Sequence, residues 1–295
     1  MLTGVFTALP TPFLADGSLD TVNLLKLLHA QLAAGVQGVV LLGTTAETPT
    51  LTESEKKTIL DLCTPVLKEH HARVIIGAGT NNTHTTVENV RQAAAYQPDA
   101  VLVVTPYYNK PNPAGLLAHY QAAAGAGIPL IMYHIPGRTG LKVPASVLAN
   151  LLAHVPQLIG IKECDYDMSQ VTDTAVKYAH KISYLCGNDE FLLQYLSIGA
   201  SGTISAAASV LAPAFVKMYQ LFKAGNTQEA FSVFTQVYRL IKACYVETNP
   251  TCIKYMLSKL GFGTATVRAP LGEIASENKT KIDQLLSQTP KEFIL

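Results

Sequence analysis

The sequence predicts an α/β fold: a closed (β/α)8 barrel, a TIM barrel, carrying a C-terminal helical appendage. Three observations predict it. Short runs rich in Val, Ile and Leu recur about every 20–35 residues, with helix-length stretches between them, which is the spacing of βα units. Eight such runs are present, and most are continuously apolar rather than alternating, as expected of parallel strands covered on both faces. The chain has 295 residues, of which 48% are hydrophobic and 15% charged, so it can bury one large core of barrel size.

The eight runs are Gly4–Ala8, Gly38–Leu42, Arg73–Ala78, Ala100–Val104, Leu130–Tyr133, Leu158–Lys162, Ser183–Cys186 and Gly202–Ser205. Asp20 stands where it can cap a helix whose apolar positions are Leu24, Leu25, Leu27, Leu28 and Leu32. Thr52-Glu53-Ser54-Glu55 has the form of a capping box, with Glu55 at the third helical position. Gly77-Ala78-Gly79 stands at the end of the third run, but no third glycine comes three residues later. The dinucleotide fingerprint of an open doubly wound sheet is therefore missing. Beyond Gly225-Asn226 the alternation stops. A long helix is expected over 227–247, with Phe231, Phe234, Val237, Tyr238 and Ile241 on one face, and Asn249-Pro250 breaks it. A further helix runs through Leu260 to Gly261, and a last one lies near Thr280–Leu286. The expected division is a catalytic barrel over 1–225 and a helical region over 226–295.

Bulk properties exclude several classes. A net charge of +1 without a Lys/Arg run leaves no electrostatic footprint for nucleic acid and no polybasic membrane patch. Met1-Leu2-Thr3-Gly4-Val5-Phe6 lacks the basic and apolar regions of a signal peptide, and the apolar stretches are strand-sized rather than membrane-spanning. Five cysteines, an odd number with no Cys-x-x-Cys, fit reduced thiols in a cytoplasmic protein. No His/Cys/Asp/Glu cluster has metal-ligand spacing, and His70-His71 reads as a helix C-terminal turn.

A barrel of this type carries its chemistry at the C-terminal ends of the strands. There the sequence places Thr44 and Thr45 after the second run, Tyr107 and Tyr108 after the fourth, Tyr133 and Arg138 at the fifth, Lys162 at the sixth and Gly187 after the seventh. Lys162 closes the apolar run Leu158-Ile159-Gly160-Ile161. Burial disfavours an ammonium, so a desolvated lysine has its pKa pulled down and can attack a carbonyl to form a Schiff base. Alone, such a lysine more often snorkels to the surface or pairs with an acid. Thr44 and Thr45 serve equally well as turn caps, Tyr133 as a core tyrosine and Arg138 as a solvated loop residue. Together the set suits a keto substrate and a carboxylate: lysine as nucleophile, a Tyr or Thr hydroxyl as proton carrier, Arg138 as clamp.

Gly43-Thr44-Thr45-x-Glu47, Thr105-Pro106-Tyr107-Tyr108, Tyr133-x-x-Pro136-x-Arg138-Thr139-Gly140, Gly160-Ile161-Lys162-Glu163 and Asn249-Pro250, in that order, resemble the dihydrodipicolinate synthase family. The wider group is the class I pyruvate-dependent aldolases related to N-acetylneuraminate lyase. The resemblance covers nearly the whole chain. It implies condensation of pyruvate with L-aspartate 4-semialdehyde on a Lys162 imine, giving 4-hydroxy-tetrahydrodipicolinate for diaminopimelate and lysine synthesis. By the same likeness Tyr133 is the general acid/base and Thr45 relays protons to Tyr108, which comes from a neighbouring subunit. Thr44 and Thr45 hold the pyruvate carboxylate, Arg138 holds that of the semialdehyde, and Gly187 and Ile204 line the pocket. No metal or organic cofactor is implied, and the assembly is a homotetramer, a dimer of dimers. Sibling aldolases acting on N-acetylneuraminate or 2-keto-3-deoxy-sugar acids share the lysine and tyrosine; Arg138 and the Thr44-Thr45 pair favour the synthase. A catalytically dead barrel is disfavoured because Lys162, Tyr133, Thr45 and Tyr108 are all intact.

Two positions depart from the family pattern: Ala46 stands where glycine is usual, and His134 where asparagine is common. An effector site for lysine would include Asn81 and Tyr107. Lysine-sensitive members carry histidines where this chain has Glu53 and Lys56. A cationic Lys56 opposes a cationic effector at close range, so weak or absent feedback by lysine is expected.

Overall fold

The computed structural model describes residues 1–295. Eight parallel strands pair in chain order as a closed barrel: β1 (Gly4–Ala8), β2 (Gly38–Leu41), β3 (Arg73–Gly77), β4 (Ala100–Val104), β5 (Leu130–His134), β6 (Leu158–Glu163), β7 (Ser183–Cys186) and β8 (Gly202–Ser205). Each apolar run read from the sequence is a strand, with ends shifted by at most one residue. Most strand residues are buried on both faces, which is why the runs lack a period of two.

The chain divides into two units, Met1–Thr3 with Arg73–Ile204, and Gly4–Ala72 with Ser205–Leu295. The second holds β1 and β2 with α1 (Thr21–Ala33) and α2 (Glu53–Glu69). The first holds β3 to β7 and β8 as far as Ile204, with α3 (Thr83–Ala94), α4 (Pro113–Ala124), α5 (Pro136–Thr139), α6 (Ala145–His154), α7 (Met168–Tyr178) and α8 (Leu192–Ser197). The C-terminal helices α9 (Ala208–Lys223), α10 (Thr227–Ala243), α11 (Thr251–Lys259) and α12 (Ser276–Gln288) belong to the second unit.

Local chemistry sets the helix ends. The Asp20 side chain accepts from Asn23 N–H at the start of α1, burying Leu24, Leu27 and Leu28. Thr52 and Glu55 form the full capping box of α2. Gly261, with φ 81°, closes the turn after α11.

Three expectations need correction. α10 ends at Ala243, four residues short of the expected end. Its buried stripe runs through Ala230, Val233, Phe234, Val237, Leu240 and Ile241, so Phe231 (52% exposed) and Tyr238 (38%) are not on the core face. Phe234, Val237 and Ile241 of the expected face are buried, while the stripe extends to the other side through Ala230, Val233 and Leu240. Pro136-Gly137-Arg138-Thr139 is a helical turn rather than an irregular loop, closed by Gly140 in the left-handed region. Proline at the first helical position presets its φ.

Candidate active site

In the first unit, β5 and β6 run in register with Tyr133 opposite Lys162. Both side chains are 7% exposed. The Lys162 Nζ lies 4.4 Å from the centre of the Tyr133 ring, and the two side chains are hydrogen-bonded. The lysine does not snorkel. It ends inside the unit among Tyr133, Cys164 and Asp189.

Burial pulls the Lys162 ammonium down, as the sequence predicts, but the net direction is the opposite. Tyr133, Cys164, Asp189 and the hydrogen bond to Tyr133 together raise it above its ordinary 10.5. The sequence-based expectation of a lowered pKa is thus overturned for the unliganded site: it counted desolvation and missed the acidic groups of Tyr133, Cys164 and Asp189 that folding brings close. The Cys164 thiol is itself pushed up to about 12 by burial, so at neutral pH it stands beside the lysine as a thiol. An amine held protonated in this way must pass its proton to an acceptor before it can act as a nucleophile.

Gly187 follows β7 and borders the lysine. A methyl group built on it falls onto Cys164 Sγ and within 2.9 Å of Lys162 Cε. Gly187→Ala is therefore expected to displace the lysine chain and lower kcat about a hundredfold, a misplacement effect. Steady-state kinetics at a temperature where the variant is folded checks this; wild-type kcat would mean the lysine is not confined there.

Arg138, Tyr107 and Tyr108 share an open cleft of about 480 Å3 with Lys110, Pro136, Gly137, Thr139 and Gly140. The cleft is edged by two cations and two phenols, a chemistry suited to a carboxylate. Tyr108 is 91% exposed and holds φ 69°, a left-handed conformation that costs a bulky residue energy. Asn81 meets the same loop through its carbonyl, which accepts from Asn109 Nδ2 at 2.9 Å. Ile204, one residue from the end of β8, is fully buried.

In the second unit, Thr44, Thr45 and Ala46 form a single 3-10 turn after β2. Ala46 is not in the left-handed region; Glu47 is, with φ 54°. The methyl group that replaces the usual glycine hydrogen therefore meets no backbone conflict. Thr45 is 2% exposed, and its Oγ1 accepts from Asn249 Nδ2 at 3.0 Å, leaving its own proton available for donation elsewhere. Glu47 is held by Lys254 Nζ at 2.6 Å and by the Arg268 N–H at 2.8 Å. Lys254 and Arg268 both lie over the buried Phe13 ring, at 4.0 and 4.2 Å. Arg268 also clamps Glu55, whose carboxyl it holds down to about 2. Glu53 and Lys56 pair with each other at 2.8 Å on the first turn of α2.

The structure thus unites Lys162, Tyr133 and Gly187, groups Arg138 with Tyr107 and Tyr108, and joins Thr45 to Asn249. Sequence reasoning passed over Cys164, Asp189, Lys254 and Arg268 as site residues. Asp189 carried a signal, since it lies two residues beyond Gly187 at a strand end; Lys254 and Arg268 carried none.

A closed parallel barrel with a buried lysine beside a tyrosine at its strand ends is the architecture of a lyase of the aldolase type. The chain belongs to the dihydrodipicolinate synthetase family, whose pattern matches residues 1–289. It is 36% identical over 297 residues to the 4-hydroxy-tetrahydrodipicolinate synthase of Protochlamydia amoebophila, covering 99% of this chain and 98% of that one. The solved 4-hydroxy-tetrahydrodipicolinate synthase of Methylacidiphilum fumariolicum superposes with TM-score 0.95 at 29% identity, covering 99% and 97%. A dihydrodipicolinate synthase variant described as monomeric superposes at 0.94 with 33% identity, covering 97% and 96%.

Proposed function

We propose that this chain condenses pyruvate with L-aspartate 4-semialdehyde to give 4-hydroxy-tetrahydrodipicolinate, in the route to diaminopimelate and lysine. The observation that carries the reading is the buried Lys162 hydrogen-bonded to Tyr133 at paired strand ends. Lys162 gives up a proton and adds to the keto carbon of pyruvate; water leaves and an imine remains. The imine withdraws electrons, a methyl proton departs, and the enamine carbon bonds to the aldehyde, whose oxygen gains a proton. The amino group of the semialdehyde then attacks the imine carbon, closes the ring and frees the lysine. Tyr133 exchanges these protons with Thr45 and with Tyr108 of a neighbouring subunit. The exposure and strained backbone of Tyr108 support that crossing.

Thr44 and Thr45 hold the pyruvate carboxylate at the opening of their turn, and Gly187 and Ile204 shape the pocket. Arg138 holds the semialdehyde carboxylate, so Arg138→Ala is expected to raise KM for the semialdehyde about tenfold or more while sparing pyruvate. Separate saturation curves for the two substrates check it; an unchanged semialdehyde KM would remove the clamp. The barrel over 1–225 carries the chemistry, and the helical region over 226–295 braces Thr45. The assembly is a homotetramer acting in the cytoplasm; no helix is long and apolar enough to cross a membrane.

The test is direct. The protein is incubated with pyruvate, reduced with borohydride and mapped by mass spectrometry, then supplied with the semialdehyde. An adduct on Lys162 followed by turnover is expected. An adduct without turnover points to a sibling aldolase, and no adduct to an inactive barrel. The effector residues Asn81, Tyr107, Glu53 and Lys56 make a poor lysine site, because Lys56 is already engaged with Glu53 and repels a second ammonium. Lysine titrated into the assay is expected to leave the rate unchanged through the micromolar range; half-inhibition within that range would overturn this.

A further inference from the structure

His134 and Glu163 follow Tyr133 and Lys162 on adjacent strands, and they pair in the same register. Alternation places them on the opposite strand face from the reacting pair. Both are buried, at 0% and 2% exposure. The His134 Nδ1 lies 2.8 and 3.0 Å from the two Glu163 carboxylate oxygens. Its Nε2 accepts from the Val143 N–H at 3.0 Å, so Nε2 carries no proton and Nδ1–H donates to the carboxylate. Glu163 Oε1 also accepts from the Asp165 N–H at 2.8 Å, and the His134 carbonyl accepts from the Cys164 N–H at 2.8 Å.

Each of these bonds reaches a different part of the site. Glu163 and the Cys164–Asp165 segment continue the strand that carries Lys162. His134 continues the strand that carries Tyr133. Val143 lies just beyond α5 and Gly140, the turn that presents Arg138 to the cleft. The imidazole, with acceptor and donor on opposite sides of one rigid ring, spans the two.

We propose that His134 and Glu163 are a positioning pair that fixes the Arg138 turn relative to Lys162, and so sets how well the second, carboxylate-bearing substrate is held. The proposal rests on the synthase reading above. Neither residue touches substrate. Loss of the imidazole removes the acceptor of the Val143 N–H and, with it, the tie between β5 and the chain that leads from Arg138 to Val143.

The test compares His134→Phe, His134→Asn and Glu163→Gln with the parent enzyme, all assayed well below their Tm values. His134→Phe keeps a ring but loses both bonds. It is expected to form the pyruvate imine at a near-parental rate in borohydride trapping, while its KM for the semialdehyde rises about tenfold. His134→Asn, with a donor and an acceptor, is expected to recover most of that rise. Glu163→Gln, which keeps an acceptor but not the charge, is expected to raise the same KM several-fold. A folded His134→Phe with the parental semialdehyde KM overturns the proposal and leaves the pair a stability feature. If His134→Phe does not fold, Glu163→Gln decides alone, an unchanged KM again overturning it. Failure of the parent itself to trap pyruvate sinks the synthase reading, a result distinct from any of these.

Discussion

Lys162→Ala is expected to reduce kcat at least about a thousandfold and to abolish the borohydride-trapped pyruvate adduct, because the group proposed to form the covalent bond is gone. Lys162→Arg separates nucleophile from charge. A guanidinium keeps the positive charge beside Asp189 but does not lose its proton, so it forms no imine. If the lysine acted only by holding an anion, Lys162→Arg would keep a substantial part of the activity; the Schiff-base account requires it to be as inactive as Lys162→Ala. Mass spectrometry of the reduced pyruvate mixtures reads the covalent step without a coupled assay. More than about a tenth of parental turnover in Lys162→Arg would refute nucleophilic catalysis by this residue.

The proton on that lysine shows where sequence reasoning reached its limit. The apolar run Leu158–Ile161 correctly foretold burial of Lys162, and desolvation does pull its pKa down. The net shift is upward because Tyr133, Cys164 and Asp189 surround the amine; Tyr133 and Asp189 lie 29 and 27 positions away in the chain on other strand ends, and no local pattern couples them to Lys162. The same contrast holds for the fold. Continuous Val/Ile/Leu runs made all eight strands legible, because a strand buried on both faces must be written in apolar residues. The bond between Thr45 and Asn249 joins residues 204 positions apart, and nothing in either neighbourhood predicts its partner. His134 was legible as a departure from the family pattern, yet its two bonds needed the register of β5 against β6 and the position of Val143. Local chemistry wrote the caps and strands; long-range register wrote the site.

Lys254→Met is expected to destabilise the protein by about 3–5 kcal/mol, the cost of removing one partner from a buried ion pair. Lys254 is 2% exposed, and its removal leaves the Glu47 carboxylate in the interior with the Arg268 N–H as a remaining donor. The methionine fills the space over Phe13 but cannot offset that charge. Glu47→Leu combined with Lys254→Met is expected to recover much of the loss, since an apolar pair of similar volume carries no desolvation penalty. A pH series gives an independent sign. Burial pulls the Lys254 ammonium down to about 8, with Glu47 opposing, so the folded state releases this proton before the unfolded chain does. Between about 8 and the ordinary 10.5 the unfolded chain binds the extra proton, and stability gains a rising contribution with pH that the Met variant lacks. Because Glu47 directly follows the Thr44–Ala46 turn in the left-handed conformation, the loss also loosens Thr45, and kcat is expected to fall with stability. Denaturant melts of the two single variants and the double variant settle the point: equal stability of Lys254→Met and the parent would show that Glu47 is not buried as an ion.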